Sequence, residues 1–200
     1  MKKIVIPGEL LSEERKRLGG NVFVSDGKIY SRVLGISDDE NERATVVPLE
    51  GKYNPQIEDT IIGVVSRVIH AGYIVDVNSY AESFIPRSAL RNGELKVGDV
   101  IMAKVTDVNE VKEANISFPK RMFDGDIIPV TAVRTPRLIG KNGSMLELLR
   151  NGTGADVIVG KNGRIWAKGG DLELLRKVVF FIENNSYKSN LTKAVEGFFK

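Results

Sequence analysis

Apolar and polar residues alternate along much of the first two thirds of the chain, and a period of two marks half-buried strands. In "NVFVSDGKIYSRVLGI" the alternation runs on both sides of Asp26-Gly27. That dipeptide is a strong hairpin signal, so two strands joined by a tight turn are predicted there. "ATVVPL" (44–49) gives another short strand, and the charged stretch "SDDENER" (37–43) before it reads as a solvated turn. Pro48, Gly51 and Pro55 bracket a boundary near residues 51–58.

Residues 59–117 hold five further strand candidates: "DTIIGVVSRVI", "YIVDV", "SFIP", "DVIMAKVTDV" and "ANISF". Short strands separated by turn residues predict a small closed barrel. The polar connection "RSALRNGELKVGD", with Asn92-Gly93 and Gly98, precedes the fourth strand, which suits a barrel of the OB type.

From residue 123 the pattern becomes mixed α/β. "DIIPVTAV", "ADVIV" and "RIWAK" read as strands. "TPRLIGKNGSMLELLR" reads as two helical pieces around a loop. Thr135 is placed to cap the first, with Pro136 at its first position and Gly140 in the left-handed position that ends it. Ser144 is placed to cap the second. "DLELLRKVVFFIENN" starts on Asp171 as a cap and carries apolar residues at helical spacing, and "SNLTKAVEGFFK" reads as a short final amphipathic helix. The fold class is multidomain and mainly β with a C-terminal α/β part, in segments 1–53, 54–122 and 123–200.

Composition narrows the chemistry. The chain has 200 residues, 42% hydrophobic and 28% charged, as in ordinary globular proteins. It has no cysteine and one histidine, His70, so neither a disulfide framework nor a zinc ribbon is available. The longest apolar run, "VVFFI" (178–182), is far short of the about 20 residues of a membrane span. The basic start is interrupted by Pro7, Gly8 and Glu9 too early for a signal peptide. A soluble cytoplasmic protein is expected. Net charge is +3, and the excess lies in residues 123–200, with 12 basic and 8 acidic side chains. That distribution favours a polyanion contact there, although a solvated lysine-rich surface accounts for it equally well.

Gly-Lys-Asn-Gly occurs at 140–143 and again at 160–163. The first copy lies between two helical pieces. Helix, Gly-x-x-Gly, helix is how a KH domain clamps a nucleic-acid backbone. Glycines let the loop approach phosphate and sugar, and the second helix points free N–H groups at the same place. Lys141 and Asn142 fill the centre, with Arg134 and Arg137 just upstream. The plain alternative is a corner in which Gly140 and Gly143 serve geometry alone. The second copy lies between two strands, and Asn162-Gly163 there is a type I′ hairpin signal. Gly160, Asn162 and Gly163 are read as that structural hairpin. Trp166 is read as packing a domain interface with its N–H satisfied at the edge, rather than as a base platform between Arg164 and Lys168.

Neither copy is a P-loop, because Asn follows Gly-Lys where Ser or Thr is needed. His70 has no triad partner and reads as a surface or RNA-facing residue. Asp38, Asp39 and Glu40 read as a solvated loop, not a metal site. No cofactor is implied.

The order of these segments is similar to that of the RNA-binding cap subunits of the archaeal exosome, of the type with an S1 domain followed by a KH domain. The resemblance runs along essentially the whole chain. "VIPGELL" and "VVPLEGKY.P" resemble the family's N-terminal signatures, "IIGVVSRVIHAGYIVDV" its first two S1 strands, and "RLIGKNGSM", "VIVGKNGRIW" and "LTKAV" its KH region. It implies a non-catalytic role. Three copies would sit on a hexameric ring of RNase PH-type subunits that carries the phosphorolytic site. The N-terminal β domain would dock on the ring, the S1 domains surround the entry pore, and the KH domains lie outside. Single-stranded RNA would be bound and its 3′ end passed inward.

Many S1 domains place aromatic residues around the glycine of the second strand and a histidine after the third. Here Gly72 is flanked by Ala71 and by Tyr73 and Ile74, and Pro86 and Arg87 follow the third strand. Of the usual stacking set only Tyr73, His70 and Tyr80 remain. The barrel is therefore expected to rely on charge, through Arg67, Arg87, Arg91 and Lys96. Two other roles stay open on the residues: a purely structural assembly subunit, and a phosphorolytic nuclease. The reversed order of KH and S1 and the short chain oppose the nuclease.

Overall fold

A computed structural model describes residues 3–38, 43–90, 93–186 and 190–199. Arg91, Asn92, Asp39, Glu40 and the side chain of Asp38 lie outside the described residues. The chain divides into two compact units, residues 1–51 and 52–200.

The first unit holds β1 (Lys3–Val5), β2 (Leu10–Ser12), β3 (Arg17–Leu18), β4 (Val22–Ser25), β5 (Lys28–Ser31), β6 (Gly35–Asp38) and β7 (Arg43–Pro48). They form one sheet in the order β1-β6-β7-β3 and another in the order β2-β5-β4. The turn between β4 and β5 is Asp26 (φ 49°) and Gly27 (φ 77°), both left-handed, as a two-residue type I′ loop requires. Val5, Val22, Ile29, Ala44 and Val46 make a small core. The register sets Ile4 beside Ile36 and Ile36 beside Val47 on the face opposite Val5 and Val46. Ile4 and Val47 are exposed there, so one face of this sheet is packed and the other carries an open apolar row.

The second unit begins with a closed barrel. Its strands are β8 (Thr60–Val68), β9 (Gly72–Asp76), β10 (Ser83–Pro86), β11 (Val100–Val108) and β12 (Ala114–Met122). The order around the barrel is β10-β12-β11-β8-β9. Only β10 and β12 pair in parallel. Alternate residues fill the interior, among them Ile61, Val65, Val75, Ile85, Ile101 and Ile116. Gly72 is required where β9 crosses β10: a Cβ there would collide with the Ile85 carbonyl and lie 2.8 Å from the Phe84 ring.

The same unit continues with β13 (Asp126–Pro129), α1 (Thr135–Ile139), α2 (Ser144–Thr153), β14 (Asp156–Gly160), β15 (Arg164–Lys168), α3 (Leu172–Asn184) and α4 (Leu191–Glu196). The sheet β13-β15-β14 is antiparallel throughout. The helices share a core with its inner face, built on Leu138, Leu149, Val157, Ile165, Leu175 and Ile182. Asp171 caps α3 by accepting from the Leu174 N–H at 2.9 Å. Two sequence expectations about caps fail. Thr135 and Ser144 are the first residues of α1 and α2, and neither makes a capping bond among the described residues. The Thr135 hydroxyl is instead buried inside without a partner among the described residues.

Candidate nucleic-acid interface

The loop between α1 and α2 follows from its glycines. Gly140 stands at φ 76°, ψ 175°, a region only glycine enters readily, so it ends α1 without taking the left-handed cap conformation predicted for it. A Cβ on Gly140 would lie 2.7 Å from the Met145 nitrogen, so the chain doubles back tightly onto α2. Asn142 (φ 53°) and Gly143 (φ 82°) are left-handed, and Gly143 has open space around it. Lys141 and Asn142 are exposed. Among the described residues no side chain caps α2, and its first N–H, that of Ser144, donates to the Lys141 carbonyl inside the loop. Arg137, on the last turn of α1, is exposed, and neither it nor Lys141 has a side-chain bond or ion pair among the described residues. Two unengaged cations, a bare glycine backbone and a helix N-terminus thus meet at one corner.

Arg134 differs. It is half-buried and donates to the Glu183 carbonyl at 3.1 Å at the end of α3. The Glu183 carboxylate accepts from the Thr131 N–H at 2.7 Å and hydroxyl at 2.6 Å. Arg134 braces the fold behind the loop.

The second Gly-Lys-Asn-Gly faces the barrel. Asn162 is fully buried at 0% exposure. Its Oδ1 accepts from the Ile62 N–H at 3.0 Å, and its Nδ2 donates to the carbonyls of Ile62 at 2.7 Å and Val77 at 2.9 Å. The side chain thus pairs with the backbone as a neighbouring strand would. The Asn162 carbonyl accepts from Asn78 Nδ2 at 2.9 Å. Lys161 donates its N–H to Thr60 and its Nζ to Asp59, at 2.9 and 2.7 Å. Asp59 is buried and also accepts from the Tyr53 hydroxyl at 2.7 Å. Burial, with that hydrogen bond to Asp59, pushes the Tyr53 phenol far above its ordinary value. Arg164 donates to the Asp76 carbonyl and carboxylate, both at 2.6 Å. The predicted type I′ turn is not what forms. The loop has three residues, 161–163, with Gly163 alone left-handed at φ 77°. Asn162 keeps negative φ and sends its side chain into the barrel.

Trp166 is 4% exposed, on the sheet face opposite Ile165 and Ala167. Its Nε1 has no hydrogen-bond partner among the described residues, contrary to the expected edge contact. Gly125 leaves the indole its space, since a Cβ there would meet the ring at 2.7 Å and closer.

On the barrel the predicted cations separate. Lys96 is exposed, with its Nζ unengaged among the described residues, and His70 is exposed without a side-chain bond among them. Arg67 is exposed but paired with Glu82. Arg87 holds the β8–β9 turn, donating to the His70 carbonyl at 2.9 Å, and pairs with Glu94 at 3.1 Å. Tyr73 corrects the expectation of a stacking platform: at 1% exposure its ring is in the core, with the Arg87 guanidinium 5.5 Å from its centroid. Alternation along β9 already groups Tyr73 with buried Val75. Tyr80 is exposed, with Lys52 over its ring at 5.4 Å.

A five-stranded S1-like barrel followed by a β-α-α-β-β-α domain with an open Gly-x-x-Gly corner defines the class of single-strand RNA-binding proteins. The comparisons agree. Residues 2–50 match the family described as Exosome RNA binding protein RRP4 N-terminal domain, 54–118 the S1 RNA binding domain and 125–173 a KH domain. Exosome complex component Rrp4 of Methanosarcina barkeri is 37% identical, over 100% of this chain and 82% of its own. That of Methanothermus fervidus is 32% identical, over 98% and 95%. A crystal structure described as that of a "putative exosome complex RNA-binding protein" superposes with a TM-score of 0.66 at 27% identity, over 74% of this chain and 95% of its own. The chain belongs to the Rrp4 family of exosome RNA-binding proteins.

Proposed function

We propose that this chain is a non-catalytic cap subunit of the exosome that binds single-stranded RNA and passes 3′ ends to an RNase PH-type ring for degradation and processing. The observation that carries it is the corner at 140–143, where Arg137 and Lys141 have no side-chain partner among the described residues and stand beside a glycine backbone and a helix start without a side-chain cap. Segment 123–200 acts as the KH domain, 54–122 as the S1 domain and 1–53 as the ring-docking domain, in the cytoplasm. The open apolar row of Ile4, Ile36 and Val47 supports docking through the first unit, since such a surface gains by being covered. Three copies per hexameric ring complete the proposal.

The test is binding of oligoadenylate by the purified chain across a salt series. Affinity should fall steeply with salt, because phosphate contacts release counterions. Lys141→Glu with Arg137→Glu should cost about 1–3 kcal/mol of binding. Unchanged affinity in the assembled complex would leave the corner a turn and the chain a structural subunit. Phosphate-dependent RNA shortening by the chain alone would overturn the non-catalytic role.

A further inference from the structure

A second aromatic feature lies on the barrel away from the Gly-x-x-Gly corner. Phe118 and Phe123 are 68% and 57% exposed, although each is a large apolar ring. Both line one cleft of about 550 Å³, with Leu90, Leu95, Pro119 and Arg121 among the other walls. Phe118 is held there at a cost. It stands at φ 55°, a conformation unfavourable for a bulky residue, at the irregularity where β12 slips against β11. A strained backbone that turns an apolar ring toward solvent stabilises nothing in the free chain, and such outliers point to function.

The surroundings select the occupant. The Arg121 guanidinium lies 5.0 Å from the Phe123 ring centroid and is fixed by Asp99 at 2.8 Å. The other oxygen of Asp99 accepts the Lys96 backbone N–H at 2.6 Å, which holds the backbone of Lys96 next to Leu95 of the cleft wall; its ammonium has no partner among the described residues. Glu94, the acidic residue of the wall, is paired with Arg87 at 3.1 Å. Flat rings flanked by cations suit a nucleobase and its phosphate. A second cleft, of about 480 Å³, suits RNA less: Glu82 and Glu113 line it, with half-buried Phe84 as its aromatic residue.

We infer that the Phe118–Phe123 cleft is a second single-stranded RNA contact, in which a nucleobase stacks on these rings and its phosphate meets Lys96. This rests on the RNA-binding function proposed above. The full-length chain is titrated with an oligoadenylate carrying one 2-aminopurine, whose fluorescence falls on stacking. Phe118→Leu with Phe123→Leu should weaken binding roughly tenfold or more, abolish the quench and leave the salt slope unchanged. Phe118→Trp with Phe123→Tyr should keep both affinity and quench. Lys141→Glu should flatten the salt slope and keep the quench.

Wild-type affinity and quench in the leucine pair overturn the inference. So does equal loss in the leucine and aromatic pairs, which marks a structural role. Loss of ring-subunit association with RNA binding intact assigns the cleft to a protein partner and overturns it too. Absence of RNA binding in the unaltered chain removes the proposed function and this inference together, and so is distinguishable from failure of the cleft alone.

Discussion

Gly-Lys-Asn-Gly at 140–143 and at 160–163 consists of the same four residues in opposite circumstances. In the first copy the lysine and asparagine are exposed, and Gly143 has open space around it. In the second the lysine reaches the buried Asp59 and the asparagine replaces a strand neighbour of β8. One loop is available to a ligand, while the other joins the KH-like part to the barrel. The flanks decide this. A helix–helix corner projects its apex away from the core, whereas a hairpin tip continues the plane of its sheet and here meets the barrel wall.

Removing the asparagine amide separates the copies most. Asn162→Ala leaves the Ile62 N–H and the carbonyls of Ile62 and Val77 without their side-chain partner in a buried place. Each orphaned group costs about 1–3 kcal/mol, so a loss of roughly 3 kcal/mol or more is expected in a urea titration. Asn142→Ala removes no bond found among the described residues and should cost only about 1 kcal/mol, for alanine in the left-handed region. Equal costs would abolish the distinction.

Glycine substitution gives the next largest contrast. A Cβ at Gly163 would be 2.9 Å from the Ala132 nitrogen and closer still to the Val130 carbonyl, which are backbone atoms and cannot swing aside. Gly143→Ala meets open space and carries only the positive-φ penalty, about 1 kcal/mol. Gly163→Ala should therefore lower the thermal midpoint clearly further than Gly143→Ala. The lysines then invert the order of readouts. Lys161→Glu sets a carboxylate against buried Asp59 and should appear in stability, whereas Lys141→Glu should appear in RNA affinity and reduce the salt slope by about 1.

Much of this was legible. The Asp26-Gly27 hairpin, the five barrel strands and the β-α-α-β-β-α order all follow from local period and turn chemistry, which neighbouring residues determine. The burial of Tyr73 was legible too, because alternation pairs it with Val75. What the chain did not reveal is how polar side chains are used across long separations. Asn162 and Ile62 are 100 positions apart, and Arg134 and Glu183 are 49 apart. No local period encodes such a partner, so Asn162 read as a turn residue and Arg134 as a free cation. Phe118 left a weak trace in the proline after it, since proline inside a strand marks an edge or a bulge.

The smallest contrast is in acid. Burial pushes the Asp76 carboxyl up, but the hydrogen bond from the Asn78 N–H and the Arg164 guanidinium prevail and hold it below its ordinary value. A carboxyl lowered in the folded state contributes stability that is full above its unfolded pKa of about 3.9 and is lost as pH falls through the folded value. The advantage of the unaltered chain over Asp76→Asn should thus be present at neutral pH and fade below about pH 4. Asp76 is partly exposed, so the effect is small and screened by salt. Lys141→Ala should show no such fading, because its amine has no carboxylate partner among the described residues. Denaturation midpoints measured from neutral pH down to about pH 2.5 decide it. A difference constant across that range would mean that the Arg164 link to the barrel rests on the Asp76 carbonyl alone, and that the Arg164–Asp76 charge pair is incidental to the joint.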